Sequence, residues 1–276
     1  MKFQFKIQPF QTEAAKSIVH VFAGQQNHGE SKYRLDLGKC KGQVERKYEQ
    51  GNLFGETEEQ KRKRLSDKYY NTREELTAEE TEILEAAYKN ADVELTPQQL
   101  LKNIREVQTA NNIKYSTELA AGLGTVSLDV EMETGTGKTY CYIKTMFELH
   151  KAYGWSKFIV VVPSIAIREG VKKSFEITQE HFMQQYGIKA RFFVYNSSNL
   201  HQLDEFSQNS GINVMIINTQ AFNTTMNEEK NVEGRSGNEA ARIIYTKRDE
   251  FGSRRPIDVI KANRPIIIMD EPQKMG

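Results

Sequence analysis

Cysteine is nearly absent: Cys40 and Cys141 are the two in 276 residues, and neither has metal-ligand spacing around it. That excludes a disulfide framework and a cysteine-built zinc cluster, and it fits a reducing, cytoplasmic setting. Net charge is also missing, because 38 Lys and Arg offset 37 Asp and Glu to a formal +1. No whole-molecule attraction to nucleic acid follows, so any such surface must be local. Long apolar runs are lacking too. No window approaches the ~20 residues of a membrane span, and the start, Met1 to Pro9, has no apolar core of a signal peptide. No fixed-period repeat is present. The length suffices for one large domain or two ordinary ones with a sizeable core.

What is there begins with Leu128 to Tyr140, Leu-Asp-Val-Glu-Met-Glu-Thr-Gly-Thr-Gly-Lys-Thr-Tyr. A β-prone run, Val126 to Met132, gives way to glycines and small hydroxyl residues. A helical pattern of Tyr142, Ile143, Met146, Phe147 and Leu149 comes next. Strand, glycine loop, Gly-Lys-Thr and helix form the layout of a phosphate-binding loop. Gly135 and Gly137 permit backbone angles that turn several N–H groups inward at phosphate oxygens. The helix start adds unpaired N–H groups and its positive dipole end. Lys138 is placed to neutralise β- and γ-phosphates, and the Thr139 hydroxyl to ligate magnesium. Glu133, Thr134 and Thr136 complete the loop. One position departs from the common pattern: Met132 stands where glycine or alanine is usual, five residues before Gly137.

Along the chain, Pro9 marks the start of a leading helix with Ile18, Val19 and Phe22 on its apolar face. Residues 24–117 are expected to form a polar, largely helical insertion. Within it, Tyr33, Leu35 and Leu37 alternate with charged residues, and Gly38 and Gly42 bracket a turn, which suggests a two-stranded hairpin. The run Lys61-Arg62-Lys63-Arg64 reads better as the wet face of a helix balanced by Glu58 and Glu59 than as a phosphate contact. Leu76, Ile83, Leu84 and Ala87 have weak helical spacing. Thr96-Pro97-Gln98-Gln99 has the form of a capping box ahead of Leu100, Leu101, Ile104 and Val107.

Beyond the glycine loop the texture is α/β. Phe158 to Val162 is an apolar run suited to a strand buried on both faces. Pro163-Ser164 ends it, and Ile165 to Phe175 reads as a helix with Arg168, Lys172 and Lys173 outward. Arg191 to Tyr195, Ile212 to Ile217 and Pro265 to Met269 read as further strands, and Asn223 to Asn263 as a long loop. The expectation is a mainly parallel sheet with helices on both faces. Ligands of such sheets bind at the carboxyl ends of the strands. Gly135 to Thr139, Pro163-Ser164, Asn218-Thr219-Gln220 and Asp270-Glu271 would therefore share one edge.

Asp270 and Glu271 at the end of an apolar strand gain meaning from the loop. Asp270 can hold the magnesium shell opposite Thr139, and Glu271 can orient or deprotonate the water that attacks the γ-phosphate. Adjacent carboxylates at a strand end suit hydrolysis better than transfer to a metabolite, so an ATPase ranks above a small-molecule kinase.

Four segments together resemble one family. They are Met132 to Thr139, Val162 to Gly170 (Val-Pro-Ser-Ile-Ala-Ile-Arg-Glu-Gly), Ile217 to Phe222 (Ile-Asn-Thr-Gln-Ala-Phe) and Met269 to Gln273 (Met-Asp-Glu-Pro-Gln). They look like motifs of the Res subunit of type III restriction-modification enzymes, superfamily 2 helicase-type DNA translocases. The resemblance covers the N-terminal motor part. It implies a RecA-like P-loop NTPase domain over 118–276, preceded by the leading helix (1–23) and the insertion (24–117). Methionine at position 132 is usual in this family. Pro9-Phe10-Gln11 then looks like the glutamine motif, with the Gln11 amide reading adenine and Phe10 near the base. ATP and Mg2+ are the implied cofactors. Double-stranded DNA and a modification methyltransferase (Mod) subunit are the implied partners, with no membrane. Pro163, Ser164, Arg168, Thr219 and Gln220 would touch the phosphates of one DNA strand. From spacing alone, Pro163-Ser164 is equally a strand-to-helix cap.

The same resemblance implies a further strand after the Asp-Glu motif, lying between that strand and the phosphate-loop strand. The sheet is therefore expected to be incomplete at the C-terminus, with apolar edges exposed, and the fragment to be inactive alone. Two other readings stand beside this one. Another superfamily 2 helicase or a type I restriction motor subunit is the competing enzyme. A truncated nucleotide-binding interaction module is the non-enzymatic reading.

Overall fold

The computed structural model describes residues 5–38, 57–72, 76–120, 124, 126–221 and 243–275. Its centre is a parallel sheet in the order β4 (Arg191–Val194), β5 (Asn213–Asn218), β3 (Lys157–Val162) and β6 (Ile266–Met269). All six residues of β3 are buried, as expected of a strand covered on both faces. Its alternation divides the core. Phe158, Val160 and Val162 face one side with Val214 and Ile216 of β5. Ile159 and Val161 face the other with Met215 and Ile217.

The first side is covered by α1 (Pro9–Val21), α4 (Pro97–Ala110), α5 (Lys138–Tyr153) and α6 (Ile165–Tyr186). Each helix has a local reason for its bounds. Pro9 opens α1. Thr96 and Gln99 close the capping box that starts α4. Ser164 caps α6 by accepting from the Ile167 amide at 3.3 Å. Gly154 and Gly187, both left-handed, stop α5 and α6. Phe147 stacks on Phe182 and Tyr186 at centroid distances of 4.9 and 5.0 Å, locking α5 to α6.

The second side is covered by α7 (His201–Gln208) and α8 (Pro256–Ala262), and by elements drawn from far upstream. These are β1 (Ser31–Arg34), α2 (Glu58–Asp67) running into a π-helical turn at Lys68–Thr72, α3 (Ala78–Glu85) and β2 (Ala86–Lys89). Leu35, Leu37, Leu65, Leu84 and Ala87 are buried in one cluster with the sheet residues Ile159 and Met215. Two polar devices fasten this layer. Asn90, 3 % exposed, accepts from the Ser156 and Lys157 amides at 2.7 and 2.9 Å and donates to the carbonyls of Lys157 and Arg264. It thus ties β2 to the amino-terminal end of the sheet, opposite the glycine loop. Arg254 is gripped bidentately by Asp204 at 2.9 and 2.8 Å and donates to the Tyr70 hydroxyl and the Asp36 carbonyl.

Several expectations change. Among the described residues β1 pairs antiparallel with the distant β2, Ser31 opposite Lys89 and Arg34 opposite Ala86. The expected Gly38–Gly42 turn runs into residues 39–56, outside the described residues. The helical spacing read through Ala87 ends at Glu85, because Ala86 to Lys89 gains that strand partner. Helix α6 continues past Phe175 to Tyr186, carried by Thr178 and Phe182 on its buried face. The long loop expected from 223 to 263 contains α8, whose Val259 and Ile260 are buried. Residues 222–242 lie outside the described residues.

The expected strand at Val126 to Met132 is the largest correction. That stretch joins no ladder, and a segment without a hydrogen-bonding neighbour is not a strand. The sheet therefore ends at β6. It pairs with β3 on one side, Phe158 opposite Ile266 through Val161 opposite Met269, and has no neighbour on the other among the described residues. Ile267 and Met269 are 50 % and 45 % exposed. Apolar edge positions are thus left open on the side where the resemblance implies a gap.

Candidate active site

The glycine loop is shaped before any side chain acts. Gly135 and Gly137 have φ of +83° and +87°, values that L side chains avoid. A Cβ at Gly137 would also displace the Gln11 amide, whose Nε2 lies 2.6 Å from that point. Thr136 closes the turn by donating from its hydroxyl to the Glu133 carbonyl at 2.6 Å. Lys138 opens α5 directly after Gly137, so the first-turn amides of a 16-residue helix face the loop.

Gln11 reaches this loop from α1. Its Nε2 donates to the Thr136 carbonyl at 2.8 Å, and its backbone carbonyl accepts from Cys141 Sγ at 3.4 Å. A buried lysine on α5, Lys144, adds a 2.9 Å bond from Nζ to the Thr12 hydroxyl. The leading helix is therefore fixed against the loop and not merely beside it. Phe10, 46 % exposed, adjoins Gln11 in the chain and remains open to solvent.

The carboxylates arrive from β6. The Asp270 amide donates to the Val161 carbonyl at 2.9 Å, which carries the strand pairing one residue beyond Met269. Glu271 then adopts a left-handed φ of +59°, rare for a non-glycine residue. That turn sends its carboxylate back to the loop, where Lys138 Nζ lies 2.9 Å from Oε1. On its other oxygen, Gln273 donates at 2.6 Å and Lys274 sits at 3.3 Å. Lys138, and after it Lys274, hold the Glu271 carboxyl below its usual range.

Asp270 behaves in the opposite sense. Burial raises its pKa, and the adjacent Glu271 charge adds to this, while a hydrogen bond from Tyr142 works against it. The Tyr142 hydroxyl donates to Asp270 Oδ2 at 3.4 Å and also interacts with the Thr139 side chain. One hydroxyl therefore spans the two groups expected to share a metal. A partly buried carboxylate with a single weak donor, beside a threonine hydroxyl, is the oxygen set that magnesium takes from a protein when phosphates supply the rest. Among the described residues there is no group of three or more His, Cys, Asp or Glu that could hold a metal ion.

The remaining expected residues lie at the same edge. Val162 pairs with Asn218, so Pro163-Ser164 and Thr219-Gln220 leave the sheet side by side. Thr219 to Ala221 forms a short 3-10 turn. Ser164 is occupied as the cap of α6, and Arg168 is engaged by Glu169 at 3.0 Å. The basic run on α2 contributes a structural contact at Arg62, which donates to the Gln208 carbonyl.

Two residues of the site escape the sequence pattern, Tyr142 and Lys274. By spacing Tyr142 belongs to the apolar stripe of α5, yet it stands three residues after Thr139, which places both on one helical face. Lys274 gives no signal, since its position depends on the left-handed turn at Glu271.

A parallel sheet with a glycine-rich loop entering a helix, and an Asp-Glu pair at the end of a neighbouring strand facing it, defines a RecA-like, helicase-type ATPase domain. Sequence comparison carries this further. Residues 98–272, more than half the chain, match the family described as "Type III restriction enzyme, res subunit", and the chain belongs to that family. It is 34% identical over 197 residues to the Type III restriction-modification enzyme EcoPI Res subunit of Escherichia phage P1, a match covering 67% of this chain and 19% of that protein. It is 32% identical over 202 residues to the EcoP15I Res subunit of Escherichia coli, covering 67% and 19%. The chain thus spans about a fifth of the length of the curated relatives it matches. No helix among the described residues is long and apolar enough to cross a membrane.

Proposed function

We propose that this site binds Mg-ATP and hydrolyses it to drive movement or switching on double-stranded DNA, as the motor portion of a type III restriction enzyme working with a Mod methyltransferase subunit in the cytoplasm. The observation that supports the reading is the 2.9 Å approach of Lys138, at the end of the glycine loop, to Glu271. In this reading the loop amides of residues 134–139 and Lys138 bind the phosphates. Gln11 holds the adenine edge, and Phe10 packs near the base. Thr139 and Asp270 hold the magnesium ion, with Tyr142 fixing both. The ion, when bound, supplies charge neutralisation for the transferring phosphoryl group. Glu271 orients the attacking water and accepts its proton.

Ser164, Thr219 and Gln220 offer backbone N–H and side-chain donors to phosphates along the strand ends, and Pro163, which has no donor, shapes the turn that presents them. Arg168 adds a cation only when it leaves Glu169. The test is ATP turnover with and without duplex DNA, RNA and the Mod partner. Stimulation by duplex DNA is expected. Stimulation by RNA alone would favour a different helicase, and ATP binding without turnover in the complete protein would favour a nucleotide-responsive interaction module.

A further inference from the structure

Lys138 has two claimants. Bound phosphate oxygens need its ammonium; in the structure Glu271 Oε1 holds it at 2.9 Å. When Lys138 turns to phosphate, Glu271 loses its nearest cation. The carboxylate then faces a polyanion, with the Asp270 charge one residue away. An uncompensated carboxylate with a side chain only 20% exposed opposes nucleotide binding at that point.

The chain provides a replacement within the next turn. The left-handed Glu271 leads into a 3-10 turn, Pro272–Lys274, closed by the Lys274 amide donating to the Glu271 carbonyl at 2.9 Å. The turn lays two side chains on the second carboxylate oxygen, Gln273 at 2.6 Å and Lys274 at 3.3 Å. Lys138 uses the first oxygen, so its departure leaves both contacts in place.

We infer that Lys274 is a positioning residue for nucleotide binding: it keeps the Glu271 carboxylate paired and aimed while Lys138 transfers to the phosphates, a role that rests on the Mg-ATP site proposed for this chain. Lys274 acts through Glu271 and not on the nucleotide. Because Lys274 is 60% exposed, its pair with Glu271 changes an equilibrium by a factor of about five at most, which bounds the effect.

The experiment is a thermodynamic cycle on the complete protein, reading the affinity for magnesium and a non-hydrolysable ATP analogue. Lys274→Ala is expected to weaken binding about threefold, and Lys274→Arg to restore it. In a Glu271→Gln background, Lys274→Ala is expected to change nothing. Unchanged affinity in Lys274→Ala would overturn the inference. So would an equal loss in the Glu271→Gln background, because Lys274 would then be acting on phosphate directly. A wild-type protein that binds no ATP analogue overturns the reading of the site itself, which separates the two failures.

Discussion

Lys138 Nζ and Glu271 Oε1 lie 2.9 Å apart although 133 positions separate them in the chain. The contact needs the whole sheet. Lys138 is set by the glycine loop at the head of α5, and Glu271 by the end of β6, whose register on β3 is fixed by four residue pairs. Anything that shifts β6 along β3 by one residue would turn Asp270 and Glu271 to opposite faces.

Gln11 should act on nucleotide choice and loop geometry together. Gln11→Ala loses both its bond to the Thr136 carbonyl and the proposed adenine contact, so the KM for ATP is expected to rise about tenfold. Discrimination against GTP should fall with it. Competition between ATP and GTP in a turnover assay reads both.

Tyr142→Phe keeps the ring in the core and removes only the hydroxyl between Thr139 and Asp270. Groups that orient metal ligands typically change metal affinity ~10- to 100-fold, so the Mg2+ concentration for half-maximal turnover is expected to rise by about tenfold. A magnesium titration at saturating ATP measures it, and an unchanged midpoint would remove Tyr142 from the metal site.

The Asp204–Arg254 pair, 3% and 6% exposed, should behave as a buried ion pair. Asp204→Ala strands the guanidinium and is expected to cost roughly 3–5 kcal/mol, whereas Asp204→Leu with Arg254→Met should cost less. Urea unfolding of the three proteins gives the comparison.

Lys157 gives a pH dependence of definite sign. Burial lowers its pKa to about 7, while two backbone carbonyls, of Phe206 and Asn209, accept from its amine. In the unfolded chain it titrates near its ordinary value of about 10.4. Between those values the unfolded state holds the extra proton, so stability rises with pH, by at most about 1.4 kcal/mol per unit. Lys157→Met should lack this slope. Urea unfolding at pH 7 and pH 9 is expected to show wild type gaining on the variant, and parallel changes would contradict it.

The sequence makes legible what depends on short-range pattern. The capping box at Thr96, the run Phe158 to Val162, and the Gly-Lys-Thr turn each carry their structure within a few residues. What it conceals depends on distant partners. Ser31 to Arg34 pairs with Ala86 to Lys89, and no local spacing announces that partner. Val126 to Met132 has the composition of a strand, yet strand formation needs a neighbour to hydrogen-bond. Pro256 to Ala262 is too short for a clear helical period. At the site, loop and carboxylates are readable as motifs. Tyr142 is hidden because its aromatic ring belongs to the core and only its hydroxyl belongs to the site.

The most direct test is ATP hydrolysis by the complete protein with duplex DNA, comparing wild type, Lys138→Ala and Glu271→Gln. The paired roles of these residues predict different failures. Lys138→Ala is expected to lose nucleotide binding and turnover together, while Glu271→Gln keeps binding and loses turnover by about 100-fold or more. Turnover in Glu271→Gln within a few-fold of wild type would contradict the account.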